Sequence, residues 1–311
     1  MIAAAFVAAS PAARNVVAAS PAARNADSNS TRTISVPGGA IELTVEERPK
    51  SISDAALESW IERSARAVAA YYGRFPVERL DLAIRAGGSS GVSGGRTQGW
   101  GKSPRIRLFV ADDATEKDLS TDWQLVHEMV HLALPSLSGH AWLEEGIAVY
   151  VEPIARARAG LQSKDEIWRW MLSGAPQGLE SIQTHGLDGS SGWAATYWGG
   201  TVYCLLADVG IRERTKGRKS LDDALRGIQA AGGNVTENWP IERVLDAGDK
   251  ATGVPVLREL YAKWKDGPIA VDLPDLWKRL GVSSTGGREG KITYDDAAPL
   301  AWVRKGIETG K

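Results

Sequence analysis

The sequence predicts an α+β fold, with a small mixed sheet in the first half of the chain and mainly helices in the second. Beyond about residue 164 the pattern is mostly helical, with loops that contain Gly and Pro. The 311 residues, 43% of them hydrophobic, suffice for one large domain or two small ones. Four segments before residue 112 have the residue pattern of strands: "TISV", "IELTVEE", "RLDLAIRA" and "RIRLFVA". The Gly/Ser-rich stretch 87–104 between the last two is expected to be a long loop.

The helices of the first half are delimited by capping and breaking residues. The segment "SISDAALESWIERSARAVAAYYGRF" predicts an amphipathic helix that Ser53 caps and that ends before Pro76. A second helix is expected from about Asp118 to Leu134, ended by a proline, and a third over 141–157. Further helices are expected near 164–173, 194–216, 219–231, 254–265 and 273–280.

This order of elements divides the chain into three parts. Residues 1–31 form a leader, residues 32–160 an α/β lobe, and residues 161–311 a helical lobe. A sheet-containing lobe followed by a helical one favours a cleft between them. We expect a ligand or substrate to bind in that cleft.

The leader permits two interpretations. It contains the short apolar run "MIAAAFVAA" and a tandem repeat of "VAASPAARN" at 7–15 and 17–25. Small residues suit a cleaved signal, although a basic n-region is missing, and an unstructured Ala/Pro arm is the alternative. The run is shorter than the ~20 apolar residues of a membrane span, and no other stretch qualifies. A signal would export the protein to the periplasm or outside the cell, whereas an arm would leave it in the cytoplasm.

Composition excludes several classes of protein. The net charge is −1 at pH 7 and Lys and Arg are spread along the chain, which argues against nucleic acids and anionic membrane surfaces as partners. Cys204 is the single cysteine, so the chain can form neither an internal disulfide nor a cysteine-ligated zinc finger. Twelve Trp against three Phe is unusual, and Trp suits half-solvated cleft walls as well as a core.

The stretch "VHEMVH" (126–131) predicts one half of a zinc site. His127 and His131 are four residues apart, so they project from one face of a helix and can hold one Zn²⁺. Glu128 lies about 100° further round, where it can act as general base on a metal-bound water without being a ligand. The alternative is a helix whose histidines are only packed or solvated.

A catalytic zinc site normally has a third protein ligand. We select Glu145, which precedes a glycine that would allow its helix to approach the first one closely. Glu144 is the alternative ligand, and an acidic pair at a helix N-terminus is the alternative without metal. A metzincin is set aside, because its third His lies six residues after the second, whereas His140 lies nine after His131. The segment "HAWLEEGIAVYVE" (140–152) supplies these candidates.

These two motifs resemble those of the gluzincin metallopeptidases. In that family the second motif is approximately W-L-x-E-G-x-A-x-Y, and its Glu before Gly is the third zinc ligand, which corresponds to Glu145. The segment 196–228, "TYWGGTVYCLLADVGIRERTKGRKSLDDALRGI", is similar to the glycyl aminopeptidase family. The resemblance covers about residues 70–306 and implies a thermolysin-like α/β lobe with a helical lobe behind the cleft.

The resemblance also implies an oxyanion donor. The family motif Y-x-K-G places its Tyr at Tyr197, whose phenol is a suitable neutral donor. The Lys of that motif is Gly199 here, which is a departure from the family. The alternative is that Tyr197 is an aromatic residue packed beside Trp193 and Trp198.

Recognition of the substrate's amino terminus is where the chain departs most from the family. Aminopeptidases of this clan use a Glu from an upstream Gly-rich segment, and "SGGRTQGWGKS" (93–103) contains no acid and one Arg. The segment can still serve as an edge strand that pairs with an extended peptide. We expect Gly95 and Trp100 to contact the substrate there.

The sequence therefore predicts a zinc-dependent metallopeptidase with a peptide or protein substrate. The alternatives are a non-catalytic binding or scaffold protein with the same fold, an aminopeptidase in the strict sense, and a hydrolase of non-peptide amides. Glu152 is expected to have a structural role, with orientation of a zinc-bound imidazole as the alternative. His140 and His185 are expected to lie in loops without a metal role.

Overall fold

The strands build one main sheet and one hairpin. The computed structural model describes residues 31–99, 103–285 and 290–311, so residues 1–30 and Trp100 lie outside the described residues. Export and the role of the leader stay predictions. The strands are β1 (Thr31–Val36), β2 (Gly39–Glu47), β3 (Arg79–Ala86), β4 (Val92–Gln98), β5 (Arg105–Val110), β6 (Val282–Thr285) and β7 (Lys291–Tyr294).

The main sheet is mixed, as predicted. Its strand order is β1-β2-β3-β5-β4, with β2, β3 and β5 parallel and both outer strands antiparallel to their neighbours. Strand β4 lies within the segment 87–104 that the sequence predicts as a loop. Its Gly and Ser residues lack the apolar alternation of a strand, but pairing with β5 provides the missing backbone partners. Among the described strands, β4 lies at the edge of the sheet and pairs with β5 alone.

Helices account for most of the remaining described chain. They are α1 (Asp54–Tyr72), α2 (Glu116–Thr121), α3 (Gln124–His131), α4 (Ala141–Arg158), α5 (Lys164–Ile182), α6 (Gly186–Gly189), α7 (Gly200–Thr215), α8 (Leu221–Ala230), α9 (Ile241–Thr252), α10 (Val256–Trp264), α11 (Leu273–Leu280) and α12 (Ala301–Thr309). A π-helical turn, Ala194–Gly199, leads directly into α7. The boundary near residue 160 stays a prediction. None of the helices in the described ranges is long and apolar enough to span a membrane.

The predicted helix from Asp118 to Leu134 is wrong in extent, because the structure divides it into α2 and α3. The carboxylate of Asp122 accepts hydrogen bonds from the backbone N–H groups of Gln124 (2.9 Å) and Leu125 (3.1 Å). It also accepts one from the indole of Trp60 in α1 (3.1 Å). An Asp that accepts hydrogen bonds from the first N–H groups of a helix marks its N-terminus. A new helix, α3, therefore begins just before the histidine motif.

Two glycines allow α4 to pack closely on the start of α7, whereas the sequence predicts close packing of α4 on the histidine helix. A Cβ on Gly146 would lie 2.4 Å from the carbonyl carbon of Gly200, and a Cβ on Gly200 would lie 1.8 Å from the carbonyl oxygen of Trp142. The expectation that Gly146 brings α4 close to the histidine helix is therefore wrong. The close crossing is between α4 and the start of α7, and it places Glu145 beside the π-helical turn.

Candidate metal centre

Three side chains converge at one point between α3 and α4. The Nε2 atoms of His127 and His131 lie 3.3 Å apart. The Oε2 atom of Glu145 lies 3.2 Å from the first of these nitrogens and 3.5 Å from the second. All three potential ligand atoms lie within 4.8 Å of one another. Sequence reasoning selected these three residues, and the structure brings them together.

The charges of this cluster are strongly coupled. Burial by itself would raise the pKa of Glu145, but hydrogen bonds and charge interactions with the two histidines hold it well below its ordinary value. For His131, burial lowers the pKa, but the hydrogen bond to Glu145 and the charges of Glu145, Glu128 and Glu144 together outweigh burial and raise it. The cluster therefore favours an ionised carboxylate, which is the form that binds a metal ion.

Glu128 lies beside the cluster and is held by strand β4. The hydroxyl of Thr97 lies 2.6 Å from Oε2 of Glu128, within the range of a charge-assisted O–H···O⁻ bond. On the other side, a Cβ at Gly95 would lie 2.6 Å from Oε1 of Glu128. The carboxylate is thus hydrogen-bonded on one side by a hydroxyl and lies on the other side in space that any side chain at position 95 would fill.

Thr97 also reaches the backbone at the end of α3. Its hydroxyl lies 2.8 Å from the carbonyl oxygen of Glu128. The N–H of Leu132 bonds the carbonyl of Met129 rather than that of Glu128, because the last turn of the helix tightens. Thr97 therefore shares its one hydroxyl proton between a helix-end carbonyl and the carboxylate of the same residue, with the shorter contact to the carboxylate.

Tyr197 lies across the site, on the π-helical turn. Its ring stacks with that of His127 at a centroid distance of 6.4 Å. Burial raises the pKa of Tyr197 to about 12, and the carboxylates of Glu145 and Glu128 add to the effect. The phenol therefore keeps its proton at neutral pH and can donate a hydrogen bond.

The departure from the family's Tyr-x-Lys-Gly motif has a steric explanation. A Cβ on Gly199 would lie 2.6 Å from Cγ2 of Ile182, which is fully buried. The neighbouring Trp198 passes close to α5, where a Cβ on Gly174 would lie 2.3 Å from its indole ring. The π-helical turn is therefore pressed against α5, and no long side chain fits at position 199.

The three clustered residues, together with Glu128, Thr97 and Tyr197, line one cleft of about 390 Å³. Glu144, the alternative third ligand, also lines it, but its Oε1 accepts a hydrogen bond from the backbone N–H of Leu137. Burial raises the pKa of Glu144. The cleft is bounded by Gly95, Arg96, Thr97, Gln98, Gly99, His127, Glu128, His131, Leu134, Pro135, Ser136, Glu144, Glu145, Tyr197 and Val235.

The remaining acid and histidine candidates lie outside the cluster. Glu152 forms a buried ion pair with Arg156 (2.8 Å), and burial raises its pKa to about 7. Glu152 thus pairs with an arginine rather than with a zinc-site imidazole. His140 and His185 directly precede α4 and α6, and neither belongs to the convergent group found among the described residues.

Sequence reasoning missed Thr97 and Trp123 at the site, and it named Trp193 only as a packing neighbour of Tyr197. Thr97 stands in a Gly-rich segment without any motif of its own. Trp123 and Trp193 carry a signal that was available, since each lies four residues before a site residue, His127 and Tyr197 respectively. Their rings contact those residues at centroid distances of 5.5 and 5.9 Å.

Solved structures to which the chain is similar include an aminopeptidase N family protein and M1 zinc metallopeptidases. An aminopeptidase N family protein from Idiomarina loihiensis has a TM-score of 0.61 at 12% identity, over 82% of this chain and 50% of its own. An M1 zinc metallopeptidase from Deinococcus radiodurans has a TM-score of 0.48 at 14% identity, over 78% of this chain and 52% of its own. A variant of the latter, bound to the substrate Tyr-Ser-Ala, has a TM-score of 0.49 at 14% identity, over 79% and 53%.

The similarity establishes the fold. The chain has the gluzincin-type metallopeptidase fold, which confirms the α+β prediction, and it spans about half the length of the structures it matches. The assignment depends on the Idiomarina protein, because the other two TM-scores are below 0.5. No protein-family model matches the chain, and no curated protein does.

Proposed function

We propose that the protein is a zinc-dependent metallopeptidase. The observation that carries the proposal is the convergence of His127, His131 and Glu145 within 4.8 Å, with the carboxylate of Glu128, which is not a ligand, beside them in an open cleft. Two imidazoles and one carboxylate are the donor set of catalytic zinc sites that keep one position for substrate or water. This fold is also that of an aminopeptidase N family protein, which supports the same reaction class.

The donor set fits zinc better than a harder ion. Imidazole nitrogen is a ligand that zinc prefers, whereas magnesium and calcium prefer oxygen alone. His127, His131 and Glu145 would hold one ion. A bound zinc ion would supply Lewis acidity, which makes water more acidic and polarises a carbonyl oxygen.

The protein's own residues account for the proton and charge movements. Glu128 is placed to accept a proton from the attacking water and to deliver it to the leaving amine. Thr97 orients the carboxylate for this task through its 2.6 Å hydrogen bond. Tyr197 donates its phenol hydrogen to the oxyanion that develops on the scissile carbonyl. These three roles require no further cofactor.

The substrate is proposed to be an extended peptide that pairs with the free edge of β4. The strand lies at the end of the sheet, and Gly95 to Gly99 line the cleft. Edge strands bind peptides through their unpaired N–H and C=O groups. A contact between the substrate and Trp100 stays a prediction, since that residue lies outside the described ranges.

Cleavage within chains is favoured over strict aminopeptidase activity. The described part of the Gly-rich segment, residues 93–99, offers no carboxylate to a substrate ammonium, and Arg96 would repel one. Free and N-blocked peptides of the same sequence separate the two activities. Cleavage of the blocked peptide supports an endopeptidase, whereas cleavage of the free peptide alone supports an aminopeptidase.

The experiment that tests the proposal is the digestion of a mixed peptide library by the wild type and by Glu128→Gln, read by mass spectrometry. We expect the wild type to cleave and the variant to be inactive while retaining about one zinc per chain. A zinc-loaded wild type that cleaves no peptide would contradict the proposal and favour a binding protein. The same preparation screened against non-peptide amides tests the remaining alternative.

A further inference from the structure

Two arginines lie side by side on the outer face of the main sheet, at its β4 edge. Arg96 on β4 is directly across from Arg107 on β5 in the strand register, and both are exposed. Ile106 and Leu108, on either side of Arg107, are buried, so the two arginines lie on the face away from the core. Like charges directly opposite each other on adjacent strands destabilise a sheet.

An acid compensates Arg107 but not Arg96. The Nη2 atom of Arg107 lies 3.7 Å from Oε1 of Glu46 on β2. The small side chain of Ala83, which is in register with Arg107 on the intervening β3, leaves room for this contact. In the part of the chain that the structure describes, no carboxylate lies within ion-pair distance of Arg96.

The other arginines of the sheet each have an acid beside them. Arg32, Arg79 and Arg85 form ion pairs, and Arg105 is in register with Asp81. Arg96 therefore differs from the rest, and it is the arginine on the outermost strand, next to the edge that no described strand occupies.

Arg96 also lies between the two β4 residues nearest to Glu128. A Cβ at Gly95 would lie 2.6 Å from Oε1 of Glu128, and the hydroxyl of Thr97 lies 2.6 Å from Oε2. Successive side chains of a strand point to opposite faces. In a peptide paired with β4, residues that face Glu128 and the metal centre would therefore alternate with residues whose side chains lie beside Arg96.

We propose that Arg96 binds the carboxylate of an aspartate or glutamate side chain in a peptide that pairs with β4. This inference rests on the proposed function and adds the class of substrate, a peptide with an acid next to a residue that faces Glu128. Opposite residues of neighbouring strands have Cβ atoms about 5 Å apart, which an arginine side chain spans. The acid would complete the series of charges from Glu46 through Arg107 to Arg96.

A basic side chain is disfavoured at the same place. A guanidinium group donates two parallel hydrogen bonds to a carboxylate, which fixes the acid in position. A lysine there would add a third positive charge to those of Arg96 and Arg107. The preference should therefore follow the charge of the substrate residue rather than its size.

The test compares neutral peptides, blocked at both ends, in which Glu, Gln or Lys is moved one position at a time and cleavage is read by mass spectrometry. We expect kcat/KM for Glu to exceed that for Gln about three- to fivefold at one position, the upper range of an exposed ion pair, with Lys lowest. The two adjacent positions should show no preference for Glu, because their side chains face the other way. In about 1 M salt the preference should disappear.

Variants of the arginine identify the group that is responsible. Arg96→Gln should abolish the preference for Glu, Arg96→Lys should retain most of it, and Arg96→Glu should reverse it in favour of Lys. Arg105→Gln is the matched control, because Arg105 is exposed on the same face but lies one strand away from the edge, and its Glu-to-Gln ratio should equal that of the wild type. Thermal unfolding verifies that each variant is folded.

Binding separates this inference from the proposed function. Fluorescently labelled Glu and Gln peptides are titrated with Glu128→Gln protein while anisotropy is recorded. We expect a Glu peptide to bind about three- to fivefold more tightly than its Gln counterpart, with the difference lost when Arg96→Gln is added. An inactive wild type whose Glu128→Gln form gives that difference overturns the proposed function alone. An active wild type without preference for Glu over Gln at any position, or with a preference that Arg96→Gln leaves unchanged, overturns the inference alone.

Discussion

Two clusters of charged side chains, one around Asp208 and one around Glu145, differ in the hydrogen-bond partners of their carboxylate oxygens. Asp208 on α7 is fully buried, and its carboxylate accepts three hydrogen bonds. The donors are the phenol of Tyr150 (2.9 Å), Nε of Arg212 (3.0 Å) and the backbone N–H of Leu221 (2.8 Å). Every partner of this acid is a donor that the chain itself provides.

Glu145 has a different environment. Its carboxylate faces two imidazole nitrogens that also lie within 3.3 Å of each other, at the wall of an open cleft. Three lone-pair-bearing atoms that point to one place are poorly satisfied by protein donors alone and well satisfied by a cation. The comparison teaches that a filled set of donors marks a structural acid, whereas convergent acceptors mark a metal site.

Removal of metal is expected to have the largest effect, because it should abolish the function of the Glu145 cluster and leave the Asp208 cluster unchanged. Dialysis against a chelator is expected to reduce peptide hydrolysis by more than about 10³-fold, because Glu128 and Tyr197 alone cannot provide Lewis acidity. The Asp208 cluster uses no metal, so far-ultraviolet circular dichroism should be unchanged, and added zinc should restore activity. Hydrolysis that survives complete removal of metal would contradict this distinction.

Asp208→Ala should have the opposite consequence. It removes the carboxylate that pairs with the buried Arg212 guanidinium and leaves it the hydrogen bond to the carbonyl oxygen of Lys311, which we expect to cost about 3–5 kcal/mol in the free energy of unfolding. Denaturant titration measures this loss. The folded fraction should still bind zinc with the stoichiometry of the wild type, and a loss of zinc binding in that fraction would show that the two clusters are not independent.

One tyrosine lies at each cluster, Tyr197 beside Glu145 and Tyr150 beside Asp208, so matched variants can test the difference between the clusters. Tyr197→Phe should lower kcat about 10²–10³-fold with little change in stability, because it removes an oxyanion donor. Tyr150→Phe, the matched control, removes one hydrogen bond to Asp208 and should cost about 1 kcal/mol in the free energy of unfolding while kcat stays constant. Equal effects of both variants on kcat would remove the functional assignment of Tyr197.

The smallest effect is expected at Thr97. Thr97→Val keeps the shape but removes the hydroxyl that orients Glu128, so kcat should fall about tenfold while KM changes little. Thr97→Ser retains the hydroxyl and should restore most of the rate. A change in KM without a change in kcat would show that Thr97 contacts the substrate instead.

The parts of the structure that sequence predicted depend on short-range geometry. His127 and His131 must share a face of any helix they occupy, so their proximity follows from their spacing alone. Four strands, the Ser53 cap of α1 and most helices likewise follow from local pattern. Glu145 is selected over Glu144 because it precedes Gly146, and the resemblance to a family motif indicates the same residue. The glycine argument itself does not hold, since Gly146 faces Gly200 rather than the histidine helix.

The remaining features depend on contacts between distant segments. The break between α2 and α3 depends on Asp122 turning inward towards Trp60, and the sequence around it has helical character. Gly146 meets Gly200, fifty-four positions away, rather than the nearer α3. Thr97 becomes important only because β4 pairs with β5 and thereby reaches Glu128. Local periodicity contains no information on such pairings.

Zinc titration of the metal-free protein by isothermal calorimetry tests the central claim most directly, with the wild type and Glu145→Gln compared under the same conditions. The wild type is predicted to bind one zinc ion per chain, and the variant is predicted to bind it at least about 100-fold more weakly, because one of three ligands has lost its charge. Equal affinity of the two proteins, or no binding by the wild type, would contradict the assignment of His127, His131 and Glu145 as a metal centre.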